Sequence, residues 1–241
     1  MITLTMTRDE ITAHVSKDNK LCKKAIKKID ADWKNLSTKK SSSYMLHKEY
    51  EYFSKESNQR YFILYIKSPK FNGIFRSRIA EVKDENRTYY VVCPTNTQFF
   101  LNIISSHCLS RFFERMHLTR GSLKEDLSSF MFYCVPSRPI YSEDDKVVLA
   151  LRDGLALCEK NEEAHKLIYR TFISKELLKQ TQREALEKIS DEMDLQSSMI
   201  RICSNQQQLK AVQMAFSFRS ELRKEAEAIY KEYFENKKDG I

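Results

Sequence analysis

A chain of 241 residues with 41 basic and 33 acidic side chains carries a formal charge of +8; its content of 41% hydrophobic and 11% aromatic residues suffices for a packed core and excludes wholesale disorder. No run of about 18 apolar residues occurs, which excludes a membrane-spanning helix. With only four glycines, neither G-x-G-x-x-G nor G-x-x-x-x-G-K is present, which excludes Rossmann-type and P-loop nucleotide chemistry.

The charge is uneven. Residues 1–60 and 61–120 each carry a net +5, residues 121–174 a net −2, and residues 175–241 none. Met1 to Glu10 shows no basic start followed by an apolar stretch, so no signal peptide is read and a cytoplasmic location is expected.

Thr7-Arg8-Asp9-Glu10 has the pattern of a capping box, in which hydroxyl and carboxylate satisfy the free amides of a helix start. A helix is predicted from there to about residue 17, and a second over about 19–35. The stretch 17–40 holds nine lysines against Asp18, Asp30 and Asp32. Lys20, Lys23, Lys24, Lys27 and Lys28 form a basic helical stripe, with Leu21, Cys22, Ala25, Ile26, Ile29 and Trp33 available on the opposite side. Such a stripe is either a solvated face or a surface that neutralises phosphates and releases counterions, which would let the protein bind RNA or DNA. Interleaved aromatics that would stack on bases are missing from it.

Residues 37–43 read as a loop, and 44–56 are ambiguous between helix and strand. Residues 61–67 are almost continuously apolar and aromatic, hence a buried strand. Residues 78–83, 88–93 and 98–104 follow as further strands of an antiparallel meander. Ser105 or Ser106 caps a helix over about 107–117. Ser122 to Glu125 is a second capping box, opening a helix to about 133. Pro136 and Pro139 mark a loop that contains the acidic turn Glu143-Asp144-Asp145. Strands at 146–151 and 155–160 are joined at Asp153-Gly154, a hairpin signal because both turn residues favour positive φ. A third strand spans 165–173. From Ser174 onward two long amphipathic helices are expected, bent near 203–206 into a hairpin.

Six scattered cysteines, none in C-x-x-C, read as reduced and mostly buried thiols. No metal ligand set and no cofactor is expected.

The helix at 106–116 concentrates chemistry. His107, Arg111, Glu114 and Arg115 share one side, and Leu109, Phe112, Phe113 and Met116 the other. An imidazole that titrates near neutrality with two guanidiniums that hold a phosphate is the kit for metal-free RNA cleavage. A second proton-transfer group would have to come from His165, Tyr169, Arg170 or Thr171. The ordinary reading of both sets is surface helix and alternating strand.

The stretch 105–174, with its His-x-x-x-Arg-x-x-x-Arg helix, Gly121 turn, capped second helix, three-stranded meander and Arg170-Thr171, resembles the RelE/BrnT-like toxins. More broadly it resembles the barnase–EndoU–colicin–RelE group of small ribonucleases. The resemblance implies a ribonuclease-like fold with His107, Arg111, Arg115, Arg170 and Thr171 as catalytic residues. That module is normally a small stand-alone protein, whereas here residues 1–104 precede it.

The expected class is α+β: a central antiparallel sheet, in one piece or two, with two packed helices. A basic, mainly helical region (1–56), a core of two meanders (57–174) and a C-terminal helical hairpin (175–241) divide the chain. Three functions stay open. The first is a non-catalytic interaction protein that binds a protein partner or itself through the C-terminal helices. The second is a nucleic-acid-binding protein using the basic N-terminal half. The third is a metal-independent RelE-like ribonuclease.

Overall fold

The computed structural model describes residues 1–39, 46–67, 74–93, 100–134, 137–151 and 153–202. Two helices open the chain, α1 (Arg8–Leu21) and α2 (Lys23–Lys39). Five strands follow: β1 (Leu46–Ser54), β2 (Gln59–Lys67), β3 (Ile74–Asp84), β4 (Arg87–Val92) and β5 (Leu101–Ser105). Helices α3 (Ser106–Arg115) and α4 (Leu123–Cys134) separate these from β6 (Arg138–Glu143), β7 (Lys146–Leu151), β8 (Gly154–Asn161) and β9 (Lys166–Ser174). A single 3₁₀ turn at Lys175–Leu177 leads into α5 (Gln180–Ile202). The fold is α+β, with five α-helices and one large sheet among the described residues.

All nine strands belong to that sheet, in the order β1-β2-β3-β4-β5-β9-β8-β7-β6. The two meanders expected from sequence are both present. They join along one parallel seam, where Leu101 to Ile104 of β5 run beside Lys166 to Tyr169 of β9, while every other pairing is antiparallel. A parallel pair requires a long crossover. Helices α3 and α4 and the outward strands of the second meander supply it.

Both faces of the sheet are covered, and side-chain alternation divides the core accordingly. On β2, Phe62 and Leu64 pack beneath α3 and α4, whereas Tyr61, Ile63 and Tyr65 pack beneath α1 and α2. This double burial explains why the run at 61–67 is apolar without a polar alternate. At the opposite end, Leu178, Leu186 and Ile189 cover Val148, Ala150, Leu155, Leu157 and Ile173. Phe112 sits at the centre of the α3/α4 layer, its ring 5.2 Å from those of Phe113, Phe130 and Phe172 and 5.4 Å from that of Tyr133.

Several expectations need correction. The ambiguous segment is the edge strand β1, so the boundary expected after residue 56 falls inside the β1–β2 hairpin, and β1 belongs to the sheet. The Pro136–Pro139 loop gives way at residue 138 to the other edge strand, β6. Pro139 is tolerated there because an edge strand leaves one row of amides without a ladder partner. Ser174 makes no side-chain cap; the chain takes the 3₁₀ turn first, and α5 starts six residues later. The bend at 203–206 and the second helix of the C-terminal hairpin lie outside the described residues.

With so few glycines, turns use other residues. Asn58, Glu85, Asp144 and His165, one in each of four hairpins, adopt φ between 47° and 50°. Gly154 serves a different purpose from the one its Asp-Gly setting suggests. It pairs with Leu151 as the first residue of β8. A Cβ there would collide with the Ile173 carbonyl oxygen and stand 2.7 Å from the Phe172 ring. Close approach of neighbouring strands, rather than turn φ, therefore demands glycine. Gly154→Ala should lower stability by about 2–3 kcal/mol, an overpacking penalty, measured by urea unfolding of the full chain.

Candidate nucleic-acid interface

The Thr7 box forms as expected: the Glu10 amide donates to Thr7 Oγ1 at 3.3 Å, and the Thr7 amide donates to Glu10 Oε2 at 2.6 Å. Helix α1 buries Ile11, Val15 and Asp18. Cys22 ends it, and α2 begins at the next residue. Helix α2 lays Trp33 on the sheet, its ring stacked 5.0 Å from that of Tyr65, with Ile26 and Ile29 beside it.

The three aspartates that sequence sets against nine lysines each accept a hydrogen bond from a tyrosine of the sheet, but only Asp18 is buried, whereas Asp30 is half-buried and Asp32 exposed. Asp18 is 1% exposed and accepts hydrogen bonds from Tyr61 (2.6 Å), Ser57 (2.7 Å) and Ser54 (3.1 Å), with His14 Nε2 at 3.6 Å. Asp30 accepts from the Tyr65 hydroxyl and pairs with Arg76 at 3.1 Å. Asp32 accepts from the Tyr50 hydroxyl at 2.6 Å. Burial, reinforced by the neighbouring carboxylates, raises the phenols of Tyr50, Tyr61 and Tyr65, so all three remain donors. Sequence reasoning missed this clasp. Its trace was the recurrence of tyrosine at alternate positions 50, 52 and at 61, 65.

The exposed side is mainly lysine: Lys17, Lys20, Lys23, Lys24, Lys27, Lys28 and Lys34 are all exposed. Each proposed binding lysine is thus exposed, and Asp32, one turn from Lys28 on α2, is exposed with them. The hydrophobic residues named opposite the stripe are not uniformly packed: Leu21 and Ala25 are exposed, and Cys22, Ile26 and Ile29 are partly buried.

The ribonuclease-like set is placed differently. Ser105 caps α3, its Oγ accepting from the Cys108 amide at 3.1 Å. His107 is exposed. Arg111 pairs with Glu114 at 2.7 Å. Arg115 folds back, and its guanidinium donates to the Phe172 carbonyl of β9. Arg170 lies at a register shift where Leu157 faces Thr171 and Cys158 faces Tyr169. It pairs with Glu159 at 2.5 Å and reaches the Tyr89 phenol. Tyr89 belongs to the core beneath α1 and α2. Arg170 therefore works on the sheet face opposite α3, and the set does not converge on one cleft. Tyr169 is 6% exposed and buried in the α3/α4 core, and His165 is in a hairpin turn with its ring against Phe100.

Among the described thiols, Cys93, Cys108 and Cys158 are buried and Cys22 is half-buried, and none of the four is in a disulfide. Burial pushes the Cys93 thiol up to about 12 and the Cys108 thiol higher still. Among the described residues no group of three His, Cys, Asp or Glu side chains could hold a metal, and no helix is long and apolar enough to cross a membrane.

One further recess, of about 500 Å³, opens on the α3/α4 side of the second meander, over Val147, Leu149 and Leu167. The charges at its rim, Lys160 and Glu162, are paired with each other at 2.7 Å.

No protein-family model, curated protein or solved structure matches the chain. What the molecule does must be read from its own surface.

Two substitutions test these assignments. Burial opposes ionisation of Asp18, yet the Ser57, Tyr61 and Ser54 hydroxyls and His14 hold its carboxyl below the ordinary carboxylate value. A depressed folded-state pKa means stability that is present above about pH 4 and lost as pH falls further. Asp18→Asn should cost about 1–3 kcal/mol at neutral pH, with the gap to wild type narrowing below about pH 4 in denaturant titrations. Arg115→Ala removes a charged donor to the Phe172 carbonyl and should cost about 1.5–3 kcal/mol, seen as a lowered Tm.

Proposed function

We propose that this protein is a non-catalytic nucleic-acid-binding protein of the cytoplasm whose α1–α2 pair contacts phosphates through Lys17, Lys20, Lys23, Lys24, Lys27, Lys28 and Lys34. The observation that carries this reading is the excess of exposed lysine over exposed aspartate on those helices. Seven lysines face solvent, against one buried aspartate (Asp18), one half-buried (Asp30) and one exposed (Asp32), each hydrogen-bonded to a sheet tyrosine. A phosphate chain approaching from outside meets cations at short range. Asp18 lies behind the helices, and at physiological salt the influence of Asp30 and Asp32 decays over roughly 8 Å.

Catalysis by His107, Arg111, Arg115, Arg170 and Thr171 receives less support from the geometry. Arg115 and Arg170 hold sheet groups on opposite faces, and Arg111 holds Glu114. The C-terminal hairpin enters this reading as scaffold, since its first apolar residues, Leu178, Leu186 and Ile189, are core. A partner or second copy bound through the rest of that hairpin is the other half of the expectation from sequence.

Binding through about four phosphate contacts should follow the counterion-release law, with affinity falling about 10²-fold between about 50 and 200 mM salt. Fluorescence anisotropy of a labelled oligonucleotide titrated with the full chain measures this. The triple variant Lys24→Glu, Lys27→Glu, Lys28→Glu should lose most of the affinity with an unchanged thermal melt. A flat salt response, or a triple variant that binds as the wild type does, would overturn the proposal.

A further inference from the structure

We infer that the nucleic acid bound by this surface is a duplex, gripped along its phosphates without choice of sequence; the inference rests on the nucleic-acid reading above and narrows it. The reason lies in what the same fold does with its aromatic side chains. Single strands are held by combining a basic groove with exposed rings on which successive bases stack. Here the rings beneath α1 and α2 are committed elsewhere, and Phe53, 53% exposed, alternates with Tyr52 on edge strand β1 and so faces away from those helices. Trp33 is 4% exposed and stacked on Tyr65, itself 4% exposed. Tyr52 is 7% exposed and stacked 5.0 Å from Tyr61, which is fully buried. Tyr50 meets the Tyr65 ring edge-on and has its hydroxyl fastened to Asp32. The tyrosines that hold the aspartates are therefore committed to those contacts rather than offered as stacking platforms.

The shape points the same way. A helix lying on a sheet presents a convex ridge, and the 17 residues of α2 make that ridge about 25 Å long. The major groove of a duplex admits an α-helix, and its two phosphate walls flank whatever enters. Lysines spread across the outer half of α2 can reach both walls.

Base choice has little to work with. The other exposed residues among the lysines are Ala25, Ala31, Asp32, Asn35 and Thr38; the Asp32 carboxylate accepts from Tyr50, and the Thr38 hydroxyl is already donated to the Lys34 carbonyl at 3.0 Å. No arginine or glutamine lies on α2, which leaves Asn35 as its one amide able to grip adenine with two hydrogen bonds. Lysine, a flexible point charge, suits phosphate contact.

The test uses the full chain and three probes in one buffer: a mixed-sequence duplex, one of its strands alone chosen not to fold, and phosphatidylserine vesicles. The duplex is expected to bind about tenfold tighter than the strand, with little change when its sequence is scrambled. Lys27→Ala and Lys28→Ala should each lower the duplex salt slope by about one. Equal or tighter binding of the single strand, or strong dependence on duplex sequence, would overturn the inference and leave nucleic-acid binding standing. Binding to neither nucleic acid, or to the vesicles alone, would overturn both.

Discussion

The fastening of three helix aspartates to three sheet tyrosines is the interaction on which the rest of the N-terminal architecture depends. Asp18, Asp30 and Asp32 lie on helices that carry eight lysines, and a carboxylate drawn toward a sheet has to be compensated. The phenols of Tyr61, Tyr65 and Tyr50 do this at the hydrogen-bond level, helped at Asp18 by two serines and at Asp30 by Arg76. Packing alone would let an amphipathic helix rotate some way about its axis. Directional bonds along two helices remove that freedom and set which side faces water. The lysine face is in this sense a consequence of where the tyrosines are.

The middle of the molecule is governed by a different constraint. Two antiparallel meanders could stand as separate sheets, but the parallel pairing of β5 with β9 makes them one. Helix α3 starts where β5 ends and packs over this seam. Ser105, which caps α3, also donates its hydroxyl to the Tyr169 carbonyl at 2.8 Å, and Arg115 at the far end of α3 reaches the Phe172 carbonyl. Both ends of the helix are thereby tied to β9 by polar groups, with Phe112 between them. Residues that look like the members of an active site are here engaged in holding a helix against the strand beneath it.

The two ends of the sheet differ in how their outer layer is built. Helices α1 and α2 cover the first meander with a polar clasp, and α5 covers the second with aliphatic contacts from Leu178, Leu186 and Ile189. The basic half of the chain accordingly has Asp18 removed from its surface by structure, whereas Asp9, Glu10 and Asp32 stay exposed. The C-terminal region has no comparable bias, with equal numbers of acidic and basic residues.

Periodicity and local chemistry by themselves determined the class of the fold, both meanders, the capped starts of α1, α3 and α4, and the presence of a lysine stripe on α2. Each depends on interactions within a few residues, or on the rule that an apolar face must be buried, and both leave marks in the order of residues. The edge strands β1 and β6 were less legible: β1 is half polar, and the proline of β6 is compatible with a strand only once its place at the edge is known. Tertiary structure alone decided that the meanders share one sheet, that Gly154 is needed for close approach to Phe172 and Ile173, and that Arg170 serves the face opposite His107. It also decided that Asp18, within the lysine-rich stretch, is buried against the sheet. These outcomes come from pairs far apart in the chain, such as Asp32 with Tyr50, Ser105 with Tyr169 and Arg115 with Phe172. A hydrogen bond between residues brought together only by sheet order has no local period, so counting charges along a segment cannot reveal which of them reach solvent.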